Sequence, residues 1–237
     1  MNTTILRLTA RALLGRRRIL FLLPLPALLF GFALLARGTG AATADWVPVV
    51  LVGMGVSVIL PLTALIVGSS VLGLEIEDGT IAHVLTTPVP RRDIVLSKLV
   101  VAVGVTAVAA ALPIALAAVV GDAGQLALGL GVGATVGASA YSAVFLALSV
   151  ASRRPVAMGL LYILLWENVL GRLVEGARVL SIQQYAMSLA SAISGDAVLA
   201  TTVPMPAAAV LAVAVGVGAT MAATSRLRSF ALTGETS

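Results

Sequence analysis

Apolar residues in this chain come in long unbroken runs, and polar residues gather in the gaps between them. Leu, Val, Ala and Gly fill the stretches Ile19–Ala36, Pro48–Leu72, Ile94–Val120, Leu126–Ala151, Val156–Leu170 and Pro206–Ala223. A bilayer core about 30 Å thick is crossed by roughly 20 apolar helical residues. Each run therefore predicts a spanning helix. The fifth is short and ends in the polar pair Glu167-Asn168. The third and fourth are parted only by Gly121 to Gln125, which predicts a tight hairpin. The runs are continuous and do not alternate, which argues against spanning strands. The expected fold is all-α: a polytopic membrane protein with six transmembrane helices in one transmembrane domain covering residues 1–237.

Composition agrees. The chain has 237 residues, 59% of them hydrophobic and 11% charged, with a mean hydropathy of +1.09. A water-soluble domain needs far more polar surface. The formal charge of +5 reads as a topology signal. With the N-terminus in the cytoplasm and six spans, the inner side holds Arg7, Arg11, Arg16, Arg17, Arg18, Arg91, Arg92, Lys98, Arg153, Arg154, Arg226 and Arg228. The outer side keeps Arg37, Arg172 and Arg178. That bias predicts an N-in, C-in orientation. It is no nucleic-acid footprint, because no basic patch is interleaved with aromatics.

The N-terminal region supports two readings. Arg16–Arg18, the apolar run from Ile19 and the Ala42-Thr43-Ala44 site imitate a cleavable signal. The length of the run and the residues ahead of the basic cluster favour a retained span. Residues 1–18 then read as an amphipathic interfacial helix. Arg7, Arg11 and Arg18 share one face, and Ile5, Leu6, Leu13 and Leu14 supply apolar area.

The polar island from Leu74 to Asp93 holds the densest chemistry. Glu75, Glu77 and Asp78 stand where the second span leaves the membrane. Gly79 breaks that helix and Thr80 can cap a new one. Ile81, Val84 and Leu85 form a short apolar stripe at helical spacing. Pro88 and Pro90 end it. Asp93 suits the start of the next helix, and Lys98, one turn further, is expected to snorkel to the headgroups. The segment reads as a short cytoplasmic helix parallel to the membrane, fit for docking a soluble partner.

Catalytic chemistry is missing. Without cysteine there are no disulfides or thiolate metal sites. His83 is the only histidine, which rules out a His-based metal centre. Lys98 is the only lysine and follows Val95-Leu96-Ser97, so no glycine-rich phosphate loop exists. No catalytic, cofactor-binding or metal-binding residue is expected.

The string Glu75-Ile76-Glu77-Asp78-Gly79-Thr80-Ile81, followed by Leu85-Thr86-Thr87-Pro88-Val89-Pro90-Arg91 and then Ile94 and Lys98, resembles the signature of ABC-2 type transporter permeases. The resemblance implies a permease subunit of an ABC exporter in the cytoplasmic membrane. It implies a separate ATP-binding cassette subunit that carries the ATP and Mg, and a second permease copy, identical or similar. Residues 74–93 become the coupling loop, with the implied roles falling on Glu75, Glu77, Gly79, Thr80, Pro88 and Arg91. Asp78, Ile81 and Leu85 belong to the same segment. Charges are absent from the middle of the spans, which disfavours ion transport and points to an apolar or amphipathic cargo, drug-like, antibiotic or lipid-like. Two alternatives are a membrane scaffold that recruits a soluble partner without transport, and a membrane-embedded enzyme using the acids at 75–78.

Other patterns concern packing. Gly129, Gly133 and Gly137 recur every fourth residue, with Tyr141 one step further. They make a smooth face for close helix approach, preferentially within one subunit. Ala212, Gly216 and Thr220 make a similar face on the sixth span. Pro24, Pro26, Pro61 and Pro113 are expected to kink their helices. Residues 167–204 read as an outer loop of short re-entrant or interfacial helices. Glu167 could pair there with Arg172 or Arg178 across the cap.

Overall fold

The computed structural model describes residues 7, 9, 22–77, 90–152, 154–170, 178–199 and 201–233, with 73–77, 170 and 228–233 described by backbone alone. The interfacial segment expected over residues 1–18 lies almost wholly outside the described residues. Among those described, every regular element is helical. The chain runs α1 (Pro24–Thr39), α2 (Thr43–Val47), a π-helical stretch (Pro48–Ile59), α3 (Leu60–Glu77), α4 (Arg91–Thr106), a π-helical stretch (Ala107–Ala111), α5 (Leu112–Val120), α6 (Gly124–Ala151), α7 (Pro155–Leu161), a π-helical stretch (Tyr162–Leu170), α8 (Ile182–Ser194) and α9 (Met205–Thr233).

Among the described residues, four continuous helical segments are long and apolar enough to cross a membrane: Thr43–Leu72, Arg91–Val120, Gly124–Ala151 and Met205–Leu227. Two shorter apolar helices, Pro24–Thr39 and Pro155–Val169, occupy the places of the first and fifth expected spans. Large apolar side chains such as Leu35, Val108, Leu128, Leu164 and Val213 point outward. An apolar exterior on long helices is what a lipid environment requires.

The prolines act in two different ways. Pro24 and Pro26 fall in the first turn of α1, where the missing amide would have had no intrahelical partner. They start a helix and do not kink one. Pro61 and Pro113 each stand just beyond the end of a π-helical stretch, as the second residue of the helix that follows. Widened turns there absorb the bonding pattern that a mid-helix proline disrupts.

The turns order the bundle. Arg37 at the end of α1 reaches Asp122 in the α5–α6 turn (Nε to Oδ2, 3.3 Å) and donates to the Val120 carbonyl (3.4 Å). Both side chains are exposed, so the pair marks position and adds little stability. Asp122 adopts a left-handed φ of 61°, and the Trp46 ring lies over Gly121 where a Cβ would go. The α1–α2 and α5–α6 turns therefore share one end of the bundle. The α3, α4, α6 and α9 termini that carry Glu77, Arg91, Ala151 and Arg226 lie at the other.

Helix α6 is the hub. Its glycine stripe meets α8: Cβ atoms at Gly129 and Gly133 would overlap the carbonyl oxygens of Ala190 and Ala186. At Gly137 a Cβ would lie 3.0 Å from Leu60 and 3.2 Å from the Ala186 methyl. The close approach is thus within the chain. The sixth-span face behaves otherwise: nothing lies within 4 Å of a Cβ placed at Gly216, which opens onto a groove.

Gly133→Ala is expected to force α6 and α8 apart and cost about 1–3 kcal/mol, the usual range for overpacking. Gly104→Ala, at a helical position with nothing within 4 Å, should be neutral or stabilising by up to about 1 kcal/mol. Unfolding of the two variants in detergent micelles checks the contrast.

Candidate functional site

Two groups of polar side chains depart from the apolar pattern, one where α3 meets α4 near the Arg91 end and one at mid-depth of the bundle, level with Gly137 and Tyr141 of α6. The first flanks the expected coupling segment. Asp78, Gly79, Thr80, Ile81, Leu85 and Pro88 lie outside the described residues. Glu75 and Glu77 stand in the last turns of α3, known by backbone alone. Pro90, extended at ψ 133°, leads into α4, and Arg91 opens that helix half-buried. Asp93 sits in its first turn with its amide donating to the Pro90 carbonyl (2.9 Å). A carboxylate there complements the helix dipole.

Lys98 corrects an expectation. Its side chain does not snorkel to the surface: it is 1% exposed, and Nζ donates to the Val71 carbonyl of α3 (2.7 Å). The reason is the antiparallel packing of α3 and α4, which covers the position with Val67, Val71 and Leu72 on one side and Ile94 and Val95 on the other. Val71 can accept this bond on its second lone pair. The lone lysine thereby ties together the two helices that flank residues 78–89.

The second group surrounds Glu167. Most hydroxyls in the helices bond back to their own turn, as Ser69, Thr135, Ser139 and Thr220 do. That satisfies them without a neighbour. Glu167 is different. It is 3% exposed, and its carboxylate accepts from the Tyr162 hydroxyl (3.2 Å), the Ser181 hydroxyl and the Ile182 amide (3.0 Å). Ser181 is the N-cap of α8, with its oxygen accepting from the Gln184 amide (3.4 Å). The carboxylate therefore sits on the positive end of α8. Helix dipole and charge-assisted hydrogen bonds offset the desolvation of a buried charge.

Neighbouring groups extend this seam. Gln183 donates to Ser57 of the first π-helical stretch (2.5 Å), and Tyr185 donates to the Val179 carbonyl (2.8 Å). Tyr141 of α6 stacks on Phe145 (centroids 5.9 Å apart), which meets Tyr162 edge-on (6.1 Å). At the far end of α8, Ser188 donates to the Val203 carbonyl (2.8 Å) and Gly195 ends the helix at φ 67°.

For Glu167 the sequence suggested arginine partners. Arg172 lies outside the described residues, and the described contacts of Glu167 run to hydroxyls and a backbone amide. Arg178 lies one helical turn before Ser181, whose amide donates to the Arg178 carbonyl (3.1 Å). Sequence reasoning missed Tyr162, Ser181, Gln183 and Ser57 as a group. One signal was available: Ser181 and Gln184 have the spacing of a capping box. Nothing local announces that Ser57 meets Gln183, 126 positions away.

Glu167→Ala should leave the Ser181 hydroxyl and the Ile182 amide without an acceptor, at about 1–3 kcal/mol for each orphaned donor. Glu167→Gln keeps one acceptor and should lose clearly less. Thermal unfolding of both variants in the same detergent measures the difference. No curated protein matches the chain. The profile of a family described as ABC-2 family transporter protein matches residues 14–167, a span that contains the whole polar island and ends on Glu167. Long apolar helices, an apolar exterior and that match together place this chain in the ABC-2 family of transporter permeases, a multi-pass membrane protein.

Proposed function

We propose that this chain is the permease subunit of an ATP-driven exporter, with six spans and both termini in the cytoplasm of a cell whose inner membrane it crosses. The carrying observation is the family match across residues 14–167, which encloses the Glu75–Arg91 segment at one end of the bundle. A separate ATP-binding subunit, holding ATP and Mg, docks on that segment. A second copy of this chain, or a similar one, completes the pathway.

The geometry suits mechanical coupling. A docked segment between α3 and α4 transmits force only if its two flanking helices move together. The Lys98–Val71 bond supplies such a tie within about two turns of the segment's ends. At mid-depth, Glu167 fastens the fifth-span helix to the N-terminus of α8, whose other end reaches Gly129 near the α5–α6 turn. Motion imposed at residues 74–93 then reaches the outer cap through packed helices. Among the described residues the deeply buried charges are Lys98 and Glu167, and the other buried side chains are uncharged, so an apolar or amphipathic cargo fits the reading better than an ion.

The test is co-purification with an ATP-binding subunit from the same cell, followed by substitution of Glu77 and Gly79. Glu77→Ala and Gly79→Val should each reduce cargo-stimulated ATP hydrolysis by roughly tenfold, the loss of about 1.4 kcal/mol of coupling. Unchanged assembly and stimulation overturns the coupling role. Lys98→Met should preserve assembly while lowering stimulation, since it removes the tie and keeps the stem. Because the chain is free of cysteine, single cysteines at 79 and 122 can be labelled in intact cells. Position 79 should react only from the cytoplasm and position 122 only from outside.

A further inference from the structure

A groove of about 970 Å³ runs along the outer side of the bundle between α4, α6 and α9. Its wall is apolar for most of its length, with Leu96, Val103, Val136, Val213 and Val217 facing it. Its volume is at the upper end of what small-molecule sites enclose, about 300–1,000 Å³. Packing leaves it open because α9 presents Gly216 where a larger side chain would fill it.

The two ends of the groove differ. At the end that carries the coupling segment stands Arg92, exposed, with no hydrogen bond or ion pair among the described residues. Thr224 and Ser225 of α9 line the same mouth. Their hydroxyl protons are committed to the Thr220 and Ala222 carbonyls, which leaves their oxygens able to accept. From Arg92 the groove follows α4 to Val103, about 16 Å at 1.5 Å per residue. That is about half of a 30 Å hydrocarbon core. The cleft therefore has the depth of one leaflet, an apolar shaft, and a cation with hydroxyl acceptors at headgroup level.

We infer that the groove holds one acyl chain of an anionic phospholipid from the leaflet on the Arg92 side, with the phosphate at the Arg92 guanidinium. The planar guanidinium suits a phosphate bidentately. A hydroxyl-bearing headgroup donates to the Thr224 and Ser225 oxygens. A bound chain closes the open face of α9 against α4 and α6. This inference rests on the membrane placement of the chain. It does not depend on the exporter reading, since lipid binding requires no ATP-binding subunit.

Native mass spectrometry of the purified chain, titrated with palmitoyl-oleoyl phosphatidylglycerol or phosphatidylcholine, tests it. The wild-type chain should retain phosphatidylglycerol at least fivefold more tightly than phosphatidylcholine. Arg92→Gln should erase that preference. Gly216→Leu, whose Cβ would have nothing within 4 Å and whose longer side chain would extend into the groove, should displace both lipids and keep the wild-type melting behaviour. Equal retention of the two lipids by the wild-type chain overturns the headgroup assignment. Undiminished retention in Gly216→Leu overturns the site. A shift from dimer to monomer in Gly216→Leu, read by light scattering with lipid retention unchanged, assigns the groove to a second copy and also overturns the inference.

Discussion

Where α8 crosses α6, the larger helix has no side chains. Gly129 and Gly133 let the backbone of α8 come so near that a methyl group on either would strike a carbonyl oxygen. In lipid, helices gain little from burying apolar surface against one another, because the solvent is equally apolar. Association rests on close van der Waals contact and on hydrogen bonds, and both need short distances. The glycine face supplies the distance. The position of α8 then decides where Ser181, Gln183 and the Ile182 amide lie, and so whether Glu167 has partners.

The polar groups that cross between helices are few, and they sit at places that transmit position. Lys98 joins α3 to α4 beside the segment at 78–89. Glu167 joins the end of the fifth-span helix to the start of α8. Ser188 joins the far half of α8 to the backbone leading into α9. Gln183 meets Ser57 and Ser142 meets Thr106 across helices, while most other hydroxyls are spent within their own turns. A bundle so built is held by shape over most of its area, with directional ties beside the segment at 78–89 and at mid-depth. Such an object can move as packed rods while these ties keep the rods in register, as the proposed coupling to a soluble motor requires.

Much of this was readable in the sequence. Apolar runs located the helices, the Gly121–Gln125 gap located a hairpin, and the four-residue glycine period located the closest helix contact. Each is a local pattern, and local patterns survive folding. The misreadings have a common cause. Lys98 was assigned to the headgroups because snorkelling is the usual fate of a lysine near a span end; its burial depends on α3 lying alongside. The sixth-span face of Ala212, Gly216 and Thr220 has the same pattern as α6 but meets no helix at Gly216. Glu167 has no sequence neighbour that foretells Ser181 or the Ile182 amide, because the 162–170 helix and α8 are brought together by α6. What escaped the sequence is partner choice between distant helices, which composition and period do not encode.

The seating of α8 on the glycine face is the claim on which these relations rest. The cysteine-free chain permits a direct measurement: Gly137→Cys with Ala186→Cys, oxidised mildly in membranes. The two Cβ positions lie 3.2 Å apart, a few tenths of an ångström short of the separation of about 3.5–4.5 Å that a disulfide spans, so a small outward shift of α8 suffices. The account predicts rapid, near-complete bond formation within one chain, with a monomer band that shifts on reduction. A pair that stays reduced, or that links two chains into a dimer, contradicts it.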